Sequence, residues 1–444
     1  MSVKNRLRSK LLSAYISDGT RRRSQAWHEA RRRLAGRGHV VHAFLQLDDP
    51  YSYLLSRYLP DLAAHYGIEL RVYLSQALGG DYEPSSEMRA DHAVLDCGRV
   101  AAELGVPFLD KAAAPPADWG RGLADAAAAH AGTDAFIDEL GRVLEIYWRG
   151  DTEAAEACAK DARAGTAEPV VHAAQRELKR MGHYDSAMLH YGGEWYRGID
   201  RLHYLVTRLD GLGLARHAGS NARLRSIQQV MQIDLPVTRP AAARELPPID
   251  VFYSFRSPYS QLCLPRICVL ADAFGLELAF RPILPLMMRG ASLPPRKIRY
   301  IIRDAMREAE THGVPFGDAI DPLGEGVERC HAVFAYARSE KREREFLLHA
   351  AEQIWGHAVD VATDRGMRRI TAKTGLFWPE VKQAMESDDW REAEAEDRQL
   401  MLSLGSWGVP TLGVGDFVVW GQDRIWLLAR HLQELCDTGE GILV

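Results

Sequence analysis

Ser257-Pro258-Tyr259-Ser260 is the segment whose residue types and placement could do chemistry. It follows an apolar, strand-like run over 249–255 and opens an apolar, helix-like stretch that reaches Phe274. The pattern predicts a strand turning directly into a helix, with Ser257 at the helix start, where backbone N–H groups lack partners and the dipole end is positive. The segment holds no cysteine, so disulfide exchange is excluded there. Ser257 has no His/Asp partner close in sequence, and an unactivated hydroxyl is a poor nucleophile near neutral pH. A hydroxyl at a helix N-terminus can still donate to a bound thiolate and, with the dipole, lower its pKa. Plain helix capping is the simpler role for the same serine.

The elements that would position this segment occur twice. A shift of 208 residues lays Phe44, Pro50, Tyr51, Ser52, Leu54 and Leu62 on Phe252, Pro258, Tyr259, Ser260, Leu262 and Leu270 without a gap. The same shift places Gly105-Val106-Pro107-Phe108 on Gly313-Val314-Pro315-Phe316. A shift of 223 lays Gly198, Asp200, Arg201 and Leu205 on Gly421, Asp423, Arg424 and Leu428. The difference must be absorbed in the helical middle of each half. The reading is a tandem duplication of one α/β domain of about 200 residues, within the usual range for a domain.

Composition fits a globular chain with two sizeable cores: 47% of residues are apolar and 26% charged. No apolar run has the ~20 residues of a membrane span, and the six cysteines form no CxxC or metal-spaced set. A reducing, cytoplasmic setting is expected. Residues 1–38 form a basic arm with eleven Lys or Arg against Asp18 and Glu29, and no h-region or cleavage site follows. A solvated helix bearing Leu7, Leu11, Leu12, Tyr15, Trp27 and Leu34 and lying on the folded body is preferred over a nucleic-acid or membrane contact. A degenerate domain over 39–218, a proline-stiffened linker over 219–247 and an active domain over 248–444 complete the expected layout. In the second half, 277–283 reads as a strand and 305–312, 328–338, 345–356, 364–374 and 378–387 as helices. A hairpin turning at Gly415-Asp416 and a closing helix over 423–436 follow.

The second half resembles the DsbA-like thioredoxin-fold branch that holds 2-hydroxychromene-2-carboxylate isomerases and kappa-class glutathione transferases. The resemblance rests on the strand leading to Ser257-Pro258-Tyr259-Ser260, Arg281-Pro282-Ile283-Leu284, the segment 294–300, Gly313-Val314-Pro315, Trp407-Gly408-Val409-Pro410-Thr411 and Trp420-Gly421-Gln422-Asp423-Arg424. Redox members of that fold would carry Cys-Pro-Tyr-Cys at the turn. The loop 287–293 departs from the family, being shorter and having Ala291-Ser292 where the isomerases show Gly-Asn. The resemblance implies two tandem thioredoxin-like domains, each with an inserted helical subdomain, and a thiolate belonging to glutathione. It also implies a cis Val409-Pro410 turn opposite Ser257, with Pro258, Tyr259, Val409 and Pro410 lining the cofactor site. X-Pro is the one peptide bond that takes the cis form cheaply, while a proline starting a strand is the alternative.

At the start of the last helix, Gln422 and Asp423 would hold the γ-glutamyl group, its carboxylate on free N–H groups and its ammonium on Asp423. Capping alone would also explain Asp423. Arg281, Arg289, Lys297 and Tyr300 are candidates for a carboxylate substrate, Arg289 sitting where the isomerases carry a substrate-facing lysine, with surface charge as the alternative. Cys330-His331 reads as structural, because adjacent helical residues point about 100° apart.

In the first half Asp49 replaces the serine and would repel a thiolate, and Asp185-Ser186-Ala187 replaces Gly408-Val409-Pro410. That half reads as a partner domain, a fused copy able to supply a pseudo-dimer surface. The expected activity is glutathione-dependent isomerisation of a conjugated, aromatic-derived carbonyl or carboxylate compound by reversible thiolate addition. The alternatives are glutathione conjugation and a non-catalytic binding or scaffold protein.

Overall fold

The computed structural model describes residues 3–82, 85–109, 115–217 and 221–438. The side chain of Leu7 and the first two residues of the expected linker, 219 and 220, lie outside the described part. The chain divides into two compact units, Arg23–Gln232 and the combination of Met1–Arg22 with Ile233–Val444.

The first unit is built on β1 (Val40–Leu45), β2 (Glu69–Leu74), β3 (Met188–Tyr191) and β4 (Glu194–Arg197), in the order β2-β1-β3-β4. The second uses β5 (Ile249–Tyr253), β6 (Leu278–Pro282), β7 (Thr411–Val414) and β8 (Phe417–Trp420), in the order β6-β5-β7-β8. In each sheet the first pair is parallel and the other two antiparallel. The registers also correspond: Val41 pairs with Leu70 and Ile249 with Leu278, while Met188 pairs with Arg197 and Thr411 with Trp420. A parallel pair needs a crossover, and helices supply it in both units. In β5 the side chains of Ile249, Val251, Phe252 and Tyr253 are all buried, as befits a central strand covered on both faces.

The site helix Pro258–Phe274 starts at Ser257 and ends at Gly275, whose φ of 71° is the left-handed stop that glycine adopts without strain. Leu262 on this helix packs with Ala305, Ala309 and Val314, and Tyr259 and Phe316 close over them. On the other side of the sheet Phe252, Ile283 and Met401 form the core beneath Val409.

The inserted helices of the second half are Pro295–His312, Glu325–Ser339, Glu343–Gly356, Asp364–Thr371, Trp378–Ala384 and Trp390–Ser403. The last has no counterpart in the sequence reading, for a physical reason. Its buried positions are Trp390, Glu394, Asp397 and Met401, so two of the residues facing inward are carboxylates and the apolar period is broken.

Two expectations change. The arm forms two helices, Val3–Ile16 and Asp18–Leu34, but Leu11, Trp27 and Leu34 point outward at 62%, 56% and 90% exposure, and the buried contacts are made by Ser9 and Ile16. Within the expected linker, Ala222–Val230 is helical with Leu224 and Ile227 buried, and Asn221 donates to the Tyr66 hydroxyl at 3.0 Å. This part belongs to the first unit's packing rather than to a spacer.

Candidate functional site

Ser257 is the N-cap of the site helix, with extended backbone angles and its Oγ accepting from the Ser260 N–H at 3.1 Å. The turn is fixed by Ser260, whose buried Oγ accepts from the Ser254 N–H at 3.2 Å. Ser257 Oγ also donates to the carbonyl of Val409 at 3.4 Å, linking two motifs that lie 152 residues apart. At that length the bond is weak and easily exchanged for a better acceptor. Ser257 and Val409 are half-buried, whereas Pro258 and Pro410 are buried.

The Val409-Pro410 peptide is cis. Its loop is held from three sides. Thr411 Oγ1 donates to the Gly408 carbonyl at 2.7 Å and lies 2.6 Å from Ser406 Oγ. The Gly421 N–H donates to the Pro410 carbonyl at 2.9 Å. Gly408 permits the Trp420 indole to close in, since a Cβ there would stand 2.7 Å from Nε1, and Trp407 and Trp420 lie ring to ring at 4.7 Å. Among the described residues the Val409 N–H donates to no backbone carbonyl.

The chain enters its last helix, Ile425–Thr438, through a 3-10 turn at Gln422–Arg424. Gln422 is 1% exposed, and its amide Nε2 donates to Glu308 Oε2 at 2.6 Å. Arg266 donates to both the side-chain and main-chain carbonyls of Gln422. The Gln422 side chain and main-chain carbonyl are therefore used internally, which leaves its backbone N–H for any ligand. Asp423 remains half-buried, its carboxylate folded over Gly421.

The remaining expected site residues separate into two groups. Tyr259 places its ring in the Leu262 cluster and donates its hydroxyl to Asp304 Oδ2 at 2.9 Å, and Asp304 in turn pairs with Arg307 at 2.8 Å. Arg281 lies opposite Phe252 and spans Asp250 and Asp397, each at 2.6 Å. Two carboxylates of the protein hold this arginine, so a substrate carboxylate would have to compete with them. Arg289, by contrast, comes to the cis-proline loop and donates to the Trp407 carbonyl at 3.3 Å. Burial draws its guanidinium down from the ordinary value, with Glu394 acting the other way. Lys297 and Tyr300 are half-buried on the helix Pro295–His312, seven and four residues before Asp304 and so on the face turned to the site helix. Cys330 and His331 are buried: desolvation pushes the thiol up and the imidazole down to about 3.

Several residues around the site were not legible in the sequence. Arg256, immediately before Ser257, forks onto Asp321 at 2.7 and 2.9 Å. Arg266 and Glu308 enclose Gln422 from two different helices. One signal was available for the Tyr259, Asp304 and Arg307 set. Tyr51, Asp96 and Arg99 stand 208 residues earlier, and Tyr51 likewise donates to Asp96 at 2.9 Å.

The first half carries a different centre at the equivalent turn. Asp49 caps the helix Pro50–Ser56 through the Tyr51 N–H at 3.2 Å, and its Oδ2 accepts from Ser52 at 2.7 Å and from Ser186 at 2.9 Å. Burial raises its pKa, aided by Asp185 and opposed by the two hydroxyls. Burial also works against ionisation of Asp185, yet Arg89 at 2.9 Å and Arg197 at 3.7 Å hold it well below the usual carboxylate range. Ala187 takes a left-handed φ of 51° in place of a proline, while the Gly198 N–H still reaches its carbonyl at 2.7 Å.

Comparison with known proteins places the second half. The model of the DSBA-like thioredoxin domain family matches residues 248–433. A 2-hydroxychromene-2-carboxylate isomerase of Pseudomonas putida is 24% identical over 196 residues, which is 42% of this chain and 95% of that protein. Glutathione S-transferase kappa 1 of Rattus norvegicus is 22% identical over 205 residues, 42% of this chain and 91% of that protein. A solved structure of selenomethionine 2-hydroxychromene-2-carboxylate isomerase aligns at 23% identity with a TM-score of 0.38, covering 43% of this chain and 96% of that one. The C-terminal half thus carries a DsbA-like thioredoxin domain whose named relatives are enzymes. Among the described residues no helix is long and apolar enough to cross a membrane, and the six cysteines are free thiols.

Proposed function

We propose that the second half is a glutathione-dependent isomerase acting on a conjugated, aromatic-derived carbonyl or carboxylate compound. The observation that carries this reading is the Ser257 hydroxyl, set at the start of a 17-residue helix and 3.4 Å from the carbonyl of the cis-proline turn. The relatives named as 2-hydroxychromene-2-carboxylate isomerases support it.

The residues present fit a γ-glutamyl thiol peptide. Val409 presents a backbone N–H without a backbone partner among the described residues, the donor an extended peptide needs for pairing. Asp423, half-buried at the start of the last helix, can accept from an ammonium beside N–H groups that suit a carboxylate. When bound, glutathione would supply a thiolate able to add to a conjugated acceptor and leave unchanged after a bond rotates or a ring opens. Ser257 would turn its O–H from Val409 toward the sulfur and hold the proton equilibrium on the thiolate side, with the positive helix end acting in the same sense. Arg289, at the cis-proline loop, is positioned to hold a substrate carboxylate. Glutathione conjugation shares the first step, and the rat relative named as a kappa transferase favours it as the second reading.

We read the first half as a degenerate copy of the second, supported by the shared strand order and register. Asp49 and Ala187 replace the serine and the proline, so this half should not bind the thiol. Calorimetric titration of the full chain with glutathione should give one site per chain, abolished by blocking the second-half cleft. Chromatography of the product then separates an isomer of unchanged mass from a conjugate. A chain that takes up no glutathione would overturn the assignment.

A further inference from the structure

The N-terminal helix belongs to the same compact unit as the second half, although more than 200 residues separate them in sequence. Two of its serines reach the loop 313–324, between the helices Pro295–His312 and Glu325–Ser339, while other contacts go to the first of these helices. Ser9 Oγ donates to the Ala319 carbonyl at 2.8 Å, and the Ala319 N–H donates to Ser13 Oγ at 3.3 Å. Two serines one helical turn apart therefore satisfy both backbone polar groups of a residue that is fully buried. Ile16 is 2% exposed, the Arg303 guanidinium lies 4.4 Å over the Tyr15 ring, and Arg21 pairs with Glu310 at 2.9 Å. Two residues beyond Ala319, Asp321 takes Arg256 in a two-pronged pair, and Arg256 is covalently joined to Ser257. In the first half Asp48 stands where Arg256 does, and it accepts from Gln46 at 2.9 Å instead.

We infer that residues 9–21 are a positioning element of the second-half site: they hold the loop 313–324, and through Asp321 and Arg256 that loop fixes the turn carrying Ser257. A planar fork onto a carboxylate sets orientation as well as charge, so Asp321 both holds Arg256 and neutralises it beside the site. Ser9 and Ser13 act through backbone that would otherwise be buried without partners, and losing them releases the loop rather than the whole helix packing. Only the consequence for a bound thiol rests on the proposed function; the mechanical coupling does not.

The test uses the full chain with three changes: the double substitution Ser9→Ala/Ser13→Ala, the double substitution Ser9→Thr/Ser13→Thr, and Asp321→Asn. Hydrogen exchange read by mass spectrometry should rise about threefold or more in the alanine variant, both at 316–321 and at 254–260. The threonine variant, which keeps both hydroxyls, should restore parent protection. Faster exchange at 316–321 with 254–260 unchanged would overturn the inference. Asp321→Asn keeps the side-chain shape and leaves the Arg256 charge unbalanced. It should increase exchange at 254–260 and lower the thiol pKa of bound glutathione by about half a unit, opposite in sign to Ser257→Ala; unchanged exchange and pKa would overturn the inference even if the alanine variant failed to fold. If the parent binds no glutathione, the function fails while the exchange data still decide the coupling.

Discussion

At one strand-to-helix turn a serine faces the carbonyl of a cis-proline loop, and at the equivalent turn 208 residues earlier an aspartate is enclosed by two serines. Around these two points much of the framework is shared. Tyr51 and Tyr259 both donate to a helix aspartate at 2.9 Å. Trp148 and Trp355 both donate to the strand-end loop, to Leu47 and Phe255, and both stack on a phenylalanine, Phe108 and Phe316, at 5.5 Å. The scaffolding hydrogen bonds persist where the ligand-facing groups differ. In the first half, the Asp49 carboxyl fills the space between Ser52 and Ser186, and Asp185 occupies Arg89 and Arg197. In the second, a weakly held hydroxyl and a half-buried turn remain for something else. The lesson is that framework and site can vary independently within one architecture.

The sheets differ in a second respect that acid should expose. One face of the first sheet carries His42 and His190 beside Tyr73 and Trp195, whereas the matching face of the second carries the Asp250, Arg281 and Asp397 network. Burial, then His42 and His28, depress His190 to about 3. Because the folded pKa lies below the unfolded one, the unfolded chain takes up the proton first. The stability present above pH 6.5 is therefore lost as pH falls toward 3, by up to about 5 kcal/mol for this group alone. His331 imposes a similar cost on the second half, where His349 is also lowered, but three further histidines, His28, His39 and His42, are lowered in the first, mainly by burial. Exchange measured strand by strand between pH 6.5 and 4 should show β1–β4 opening before β5–β8; the reverse order would break the comparison.

A smaller effect is expected at the site. Ser257→Ala should leave the fold intact and remove a hydrogen bond to a charged group, about 1.5–3 kcal/mol or one to two pKa units of a bound thiol. Thiolate absorbance of the glutathione complex should move to higher pH, and turnover at neutral pH should fall about tenfold or more. Asp49→Ala should change neither. A Ser257→Ala protein that titrates like its parent would reduce Ser257 to a helix cap.

Arg281→Met tests whether that residue is framework. Its pairs are partly buried, so the loss should come below the ~3–5 kcal/mol of a fully buried pair, at about 2 kcal/mol in urea unfolding. Glutathione affinity should stay within about twofold; a tenfold loss of substrate affinity at unchanged stability would return Arg281 to the site.

The smallest effect should be symmetrical. Tyr51→Phe and Tyr259→Phe each remove a hydroxyl from an aspartate and should each cost about 1.5 kcal/mol, visible as similar losses of protection in their own halves. A fall in thiol binding with Tyr259→Phe beyond the stability loss would show that Tyr259 reaches the ligand.

Residue pattern alone determined the strand, turn and helix around Ser257, the hairpin at Thr411–Val414 and Phe417–Trp420, and the offsets of 208 and 223 that match the sheet registers. These are legible because they depend on local period, on breakers and on the chemistry of an X-Pro bond. What the tertiary structure decided is which polar side chains are left for a ligand. Gln422, Arg281 and Tyr259 look alike in sequence as site residues, but partners 114, 116 and 45 residues away consume their side chains. The helix Trp390–Ser403 and the docking of Ser9 and Ser13 were hidden for the same reason. A buried carboxylate or serine is stable only against a specific partner, and that partner is chosen by packing between distant segments, which no local period records.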